Sequence, residues 1–143
     1  MALPQRPDDP SPEGSASGTP TRRVREPGQV DFELDFLAGI LARDPLNADV
    51  LKVHADNLSA RGFHEPALRA DLQLVRLRGE RPIPWYNLGC SYALLGLADK
   101  AFEALEKAIR LGYAPIGRIR RDPDLRSLRD DPRFARLLLI RRP

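Results

Sequence analysis

Residues 85–111, WYNLGCSYALLGLADKAFEALEKAIRL, decide the fold of this chain. On both sides of Gly96, apolar residues recur at intervals of three and four, as they do on one face of an α-helix. The first apolar stripe comprises Trp85, Leu88, Tyr92 and Leu95, and the second comprises Ala101, Leu105, Ala108 and Ile109. Small residues stand where two helix backbones must approach closely, at Gly89, Ala93, Ala101 and Ala108. The stretch therefore predicts two antiparallel helices joined at Gly96.

The same pattern occurs once more, earlier in the chain, and the two copies align without a gap. Leu51 stands in the place of Trp85, and Leu58 stands in the place of Tyr92. The other equivalent pairs are Ala55 with Gly89, Gly62 with Gly96, and Ala67 with Ala101. In these residue types, and in a period of about 34 residues, the chain resembles the tetratricopeptide repeat (TPR) family. The resemblance implies an all-α fold, a short right-handed α-α superhelix of antiparallel helix hairpins with a terminal capping helix.

The resemblance covers about residues 31–140 and divides the chain into segments. Residues 1–29 are rich in Pro, Ser, Gly and charge and lack apolar periodicity, so they are predicted to be a disordered tail. Residues 30–143 are the predicted helical domain. Its parts are a leading helix at 31–43 with Asp31 as its cap, a repeat at 48–81, a repeat at 82–115 and a C-terminal cap at 116–141. The first repeat carries Asp71 where the family usually has a large apolar residue.

The C-terminal segment is interpreted as the end of the array. It contains a short element around 116–121 and a last helix at 132–140, whose apolar stripe is Phe134, Leu137 and Leu138. It is similar to the end-of-group segment that closes many small bacterial TPR proteins. Because a helical array exposes apolar surface at its last repeat, we expect this helix to pack mainly on the last repeat. We expect the linker before it to shield part of the inner face.

Composition limits the kind of protein this can be. The chain has 143 residues, of which 42% are hydrophobic and 6% aromatic, which suits one helical domain. No apolar run reaches the roughly 18 residues of a membrane span, and the first 28 residues lack the apolar core of a signal peptide, so a cytoplasmic protein is expected. With one cysteine, Cys90, and only two histidines, no disulfide, structural metal or cofactor is expected.

Some members of the family bind the C-terminal carboxylate of a partner peptide with Lys and Asn from one first helix, Asn from the next, and Lys and Arg from a third. By resemblance, Lys52 matches the opening Lys, Asn87 the second Asn and Arg121 the closing Arg. Asp56 replaces the first Asn, and Gly117 replaces the second Lys. Because Asp56 lies one turn after Lys52, it would repel a carboxylate and could neutralise the lysine. The sequence therefore favours no carboxylate clamp.

The inner face of the second repeat is almost uncharged. It comprises Ile83, Tyr86, Cys90, Ala93 and Leu94. Such a face is either a groove for an apolar peptide or a surface covered by the chain's own C-terminal segment, and covering is favoured. The candidate peptide-binding residues are Lys52, Asp56, Ile83, Tyr86, Asn87, Cys90, Leu94 and Arg121.

The expected function is a non-catalytic protein-interaction adaptor with a protein or peptide partner. No catalytic pair, phosphate-binding glycine loop or His-x-x-x-His ligand pair occurs, so an enzyme is not expected. The alternative is binding of nucleic acid or another phosphate-bearing surface by the C-terminal arginines, nine of which lie in residues 117–143. Four aspartates alternate with those arginines and no aromatic platform lies among them, so nucleic acid is the less expected partner.

Overall fold

The computed structural model describes residues 27–113 and 115–140. Within these ranges the chain forms seven α-helices and one 3-10 helix, and no β-strand. The α-helices are α1 Pro27–Arg43, α2 Ala48–Ala60, α3 His64–Arg78, α4 Pro82–Leu94, α5 Ala98–Arg110, α6 Ile116–Arg121 and α7 Pro132–Leu137. The 3-10 helix, Pro123–Leu128, lies between α6 and α7. Helices adjacent in sequence pack against each other, so the predicted all-α helical-repeat class is confirmed.

The helices recur with a fixed period. The first helices of successive hairpins, α2, α4 and α6, begin at the equally spaced residues Ala48, Pro82 and Ile116. The second helices, α3, α5 and α7, begin at His64, Ala98 and Pro132, with the same spacing. The C-terminal segment, for which the sequence suggested only a cap, is therefore a third and shortened repeat in the same register.

The turns inside the two full hairpins have the same geometry. Gly62 ends the α2 turn with φ 82°, and Gly96 ends the α4 turn with φ 75°. This left-handed backbone is costly for residues with a Cβ atom, so glycine is needed at both places. The N–H of Phe63 donates to the carbonyl of Leu58, and the N–H of Leu97 donates to the carbonyl of Tyr92, each at 2.9 Å. These bonds satisfy carbonyls at the helix ends and reverse the chain.

The second hairpin is the most closely packed part of the array. Gly89 allows α4 to approach α5, because a Cβ atom at this position would lie 2.7 Å from the side chain of Leu105. Trp85 fixes the junction with the hairpin before it, since its indole Nε1 donates to the carbonyl of Gly79 at 2.8 Å. The main core cluster extends from this hairpin into the third repeat, where Ile119, Leu125 and Leu128 are buried.

Several predicted boundaries need correction. The leading helix begins at Pro27, not at Asp31, because proline suits the first turn of a helix, where its missing N–H costs no hydrogen bond. Asp31 is consequently not a cap; its carboxylate accepts from Nε of Arg61, the residue that follows α2, at 2.6 Å. The last helix ends at Leu137, earlier than the predicted Ile140, and the 3-10 helix was not predicted. Of the predicted tail, residues 1–26 lie outside the described residues.

Candidate protein-interaction surface

The predicted site residues lie on the first helices of the three repeats. Lys52 and Asp56 lie on α2, and Arg121 ends α6. The remaining five lie on α4: Ile83, Tyr86, Asn87, Cys90 and Leu94. The repeat register places Tyr86 in the position of Lys52, and Cys90 in the position of Asp56. The surface thus changes from charged in the first repeat to uncharged in the second.

The first-repeat part of this surface is accessible and electrically balanced. Lys52 Nζ lies 3.5 Å from Asp56 Oδ2, and the two side chains are 38% and 22% exposed. The carboxylate is one helical turn from the ammonium group, where it offsets the lysine charge. The expected neutralisation of Lys52 is therefore observed, and α2 does not offer an uncompensated cation to a carboxylate.

The second-repeat part is covered by the third repeat. Tyr86 and Cys90 are only 5% and 2% exposed, and they belong to the core cluster that includes Leu125 and Leu128. The 3-10 helix packs on α4, where Ser127 Oγ donates to the carbonyl of Ala93 at 3.3 Å. The prediction that Tyr86 and Cys90 line a peptide-binding surface is corrected on this point, because in this structure both are core residues. Ile83, Asn87 and Leu94 remain partly exposed.

A polar contact between Tyr86 and Asp122 holds the 3-10 helix of the third repeat against α4. The hydroxyl of Tyr86 donates a short hydrogen bond to Oδ2 of Asp122, the residue between α6 and the 3-10 helix. Oδ1 of the same carboxylate accepts from the backbone N–H of Asp124 at 3.0 Å, which caps the 3-10 helix. Pro123 cannot supply a helical N–H, so the first helix of the third repeat breaks here and the Asp122 side chain can reach α4.

Two stacked phenols complete the covered region. The rings of Tyr86 and Tyr113 are 4.1 Å apart between centroids and inclined by 13°. Burial is the main cause that raises the pKa of Tyr86 far above its usual value of 10, and Cys90 and Asp122 add to it. Burial likewise raises the pKa of Tyr113 to about 12. Both phenols are therefore protonated at neutral pH, so Tyr86 is the donor to Asp122.

One group of side chains in the described residues has the composition of a cation site. Cys90, Asp122 and Asp124 place one ligand atom each within 4.8 Å of one another. Both carboxylate oxygens of Asp122 already accept hydrogen bonds, from Tyr86 and from the Asp124 N–H. This explains the arrangement without an ion, and we assign no metal to it.

The last helix packs as the sequence predicted. α7 lies on α5, with Phe134 and Leu137 buried in the core cluster. Arg133 of α7 lies over the Phe102 ring at 4.5 Å, and its guanidinium also pairs with Asp99 at 2.6 Å and Asp131 at 2.8 Å. The hydrogen bonds from Arg133 hold the pKa of Asp131 below its usual value. The segment is thus a cap on the last hairpin through α7 and a cover over α4 through the 3-10 helix.

Some C-terminal arginines serve the fold. Arg133 is occupied by Asp99 and Asp131, and Arg129 donates from Nη2 to the carbonyl of Asp122 at 2.9 Å. Arg120, Arg121, Arg126 and Arg136 are exposed, whereas Arg141 and Arg142 lie outside the described residues. Within the described residues, no helix is both long and apolar enough to cross a bilayer.

Comparison with known proteins gives one partial similarity. No protein-family model matches the chain. Over 86 residues the chain is 36% identical to a chloroplastic protein of Arabidopsis thaliana. The matched region is 56% of this chain and 25% of that relative, so the similarity spans about a quarter of the relative's length.

Proposed function

We propose that this chain is a non-catalytic protein-interaction module of the TPR type, which binds a protein or peptide partner on the face formed by its first helices. The observation that carries the proposal is the regular recurrence of helix starts, at 48, 82 and 116 and at 64, 98 and 132. A period of about 34 residues made of helix hairpins is that of the TPR family. Stacked hairpins of this kind create an extended surface, and such surfaces are used to hold partners.

The accessible part of this face defines where a partner binds. Lys52 and Asp56 on α2 and Asn87 on α4 are partly exposed, whereas Tyr86 and Cys90 are covered. Since Lys52 and Asp56 form an ion pair, the surface suits a partner that hydrogen-bonds to both charges better than one that presents a lone carboxylate. The partner thus contacts the first repeat and the edge of the second.

The third repeat sets the extent of the binding face. A partner that occupies the whole groove must replace the contacts of the 3-10 helix with Tyr86, Cys90 and Ala93. Loss of the charged hydrogen bond between Tyr86 and Asp122 alone costs about 1.5–3 kcal/mol. Binding restricted to α2 and Asn87 avoids this cost, so we place the partner there.

The proposal is tested by affinity capture with two matched charge reversals. The tagged full chain is used to capture proteins from a lysate of the source organism, and captured proteins are identified by mass spectrometry. Lys52→Glu reverses a charge on the inner face, and Arg76→Glu makes the same reversal at an exposed residue of α3. We expect a partner that is retained by the Arg76→Glu chain and lost by at least tenfold with Lys52→Glu.

A direct titration then measures the affinity of that partner for the purified chains. Asn87→Arg should weaken binding as Lys52→Glu does, while circular dichroism shows both variants to be folded. If every captured protein binds the wild-type, Lys52→Glu and Asn87→Arg chains with equal affinity, the inner face is not the binding surface. The chain is also titrated with generic nucleic acid. A salt-sensitive affinity that disappears when the exposed C-terminal arginines are replaced would favour nucleic acid as the partner.

A further inference from the structure

The first helix carries an apolar surface that the rest of the described chain does not cover. Phe32 and Phe36 of α1 are 70% and 59% exposed, and their rings stack at 6.3 Å between centroids. The positions equivalent to Phe36 in the two full repeats are Ala70 and Ala104, and both are buried. In those repeats this helix position is therefore an interface, whereas α1 presents a phenylalanine there to solvent.

The exposed stripe of α1 has a particular order of residues. At 3.6 residues per turn, Phe32, Phe36, Gly39 and Arg43 fall on one line along the helix, on the side away from α2. The α2 side is occupied instead by Glu33, which accepts from Asn57, and by Leu41, which packs on the smaller core cluster. A Cβ atom at Gly39 would meet no heavy atom within 4 Å, so Gly39 is an open notch beside Phe36.

This stripe is complementary to itself when reversed. Phe36 and Gly39 lie at equal distances in sequence from the point that separates residues 37 and 38. Phe32 and Arg43 are centred on the same point. Two α1 helices packed antiparallel about a two-fold axis at that point therefore bring Phe36 of each copy over Gly39 of the other. A two-fold interface requires such reciprocal pairs, because every contact between two residues occurs twice, once from each copy.

Charge is complementary in the same arrangement. Phe32 of each copy faces Arg43 of the other, where a guanidinium can lie over an aromatic ring. Helical side chains point towards the N-terminus of their own helix, so Arg43 leans towards Asp35 of the second copy. Within the described residues neither Asp35 nor Arg43 forms an ion pair, and both are exposed.

We propose that α1 is a self-association surface, on which a second copy of this chain packs antiparallel with Phe36 over Gly39 and Arg43 against Phe32 and Asp35. The inference does not depend on the TPR assignment or on the inner face. A single helix pair is a small interface, so the dimer is a weak one that forms at micromolar concentration.

Sedimentation equilibrium of the full chain over a range of concentrations tests the proposal. The chain has a mass of 16.0 kDa, and the weight-average mass should rise towards twice that value between about 5 and about 500 µM. Phe36→Asp should hold the mass at that of one chain. Leu139→Asp, which places the same charge on a side chain that is 79% exposed, should leave the rise unchanged.

Two further tests distinguish this packing from a loss of folding or from another interface. Gly39→Leu fits the isolated chain, because nothing lies near its Cβ, and it should raise helix content while it abolishes the dimer. Asp35→Arg and Arg43→Glu should each weaken the dimer at least threefold, and the double variant, which recreates the ion pair but not the contact of Arg43 with Phe32, should dimerise more tightly than either single variant. A chain that stays monomeric at about 500 µM overturns the proposal, as does a dimer that survives Phe36→Asp or Gly39→Leu.

Discussion

The hydroxyl of Ser91 donates to Oδ2 of Asp71 at 2.5 Å where α4 meets α3, and both side chains are fully buried. This pair joins the first full repeat to the second. The same helix position one repeat earlier, Asn57, donates from Nδ2 to Glu33 of α1 at 2.9 Å. Equivalent positions of the two repeats therefore each make a polar contact with the helix before them.

The Ser91–Asp71 contact gives the first prediction. Ser91→Ala removes a donor to a buried carboxylate, so it should lower the free energy of unfolding by about 2 kcal/mol in urea denaturation. Replacing both residues, with Asp71→Leu and Ser91→Ala, removes the buried carboxyl group as well and should recover most of that loss. If the double variant is less stable than Ser91→Ala alone, the carboxylate stabilises the fold through contacts other than the one with Ser91.

His54 gives a prediction about pH. Its Nδ1 atom is buried without a hydrogen-bond partner in the described part of the chain, and burial lowers the pKa of His54 below the usual 6.5. The unfolded state consequently takes up the proton first as the pH falls. The free energy of unfolding is therefore not reduced by His54 above pH 6.5. As the pH falls below 6.5, protonation of His54 in the unfolded state lowers it by at most about 1.4 kcal/mol per pH unit.

His54→Leu and His54→Gln separate titration from packing. Both variants should lose less stability than the wild type when thermal unfolding is compared at pH 7.5 and pH 5.5. His54→Leu should also be more stable at pH 7.5, by about 1 kcal/mol, because the buried Nδ1 atom of residue 54 is removed. A wild-type pH dependence that both variants retain would assign the acid sensitivity to other groups.

Gly89 gives a prediction about packing between α4 and α5. Gly89→Ala places a Cβ atom 2.7 Å from the Leu105 side chain, so it should lower the free energy of unfolding by about 1–3 kcal/mol in spite of the better helix propensity of alanine. Leu105→Ala makes room for that atom. In the Leu105→Ala background, Gly89→Ala should therefore be neutral or stabilising, and an unchanged cost would show that the strain lies elsewhere.

Phe134 gives a prediction about the cap. Its ring is buried against the last full hairpin, so Phe134→Ala should lower the free energy of unfolding by about 3 kcal/mol. Leu139→Ala, two residues beyond α7, is the matched truncation of an exposed side chain and should change stability by less than about 0.5 kcal/mol. Equal effects of the two changes would mean that the third repeat is not packed on α5 in solution.

The second hairpin could be predicted from sequence because its signals are local. The stripes of Trp85 and Leu105 have helical spacing, and Gly96 stands where a backbone of positive φ is needed. The earlier copy of these signals extended the same prediction to Gly62 and Ala67. Helix class and hairpin order follow from such short-range patterns, since neighbouring residues alone impose them.

The tertiary structure alone decided the form of the third repeat and the state of the inner face. Asp122 and Pro123 break the helical pattern, so the sequence does not reveal that α6 and α7 keep the register of the hairpins before them. Tyr86 and Cys90 have the same uncharged character whether a partner or the chain itself covers them. The cover depends on a hydrogen bond between residues 36 positions apart, and no local pattern encodes a contact made by chain reversal.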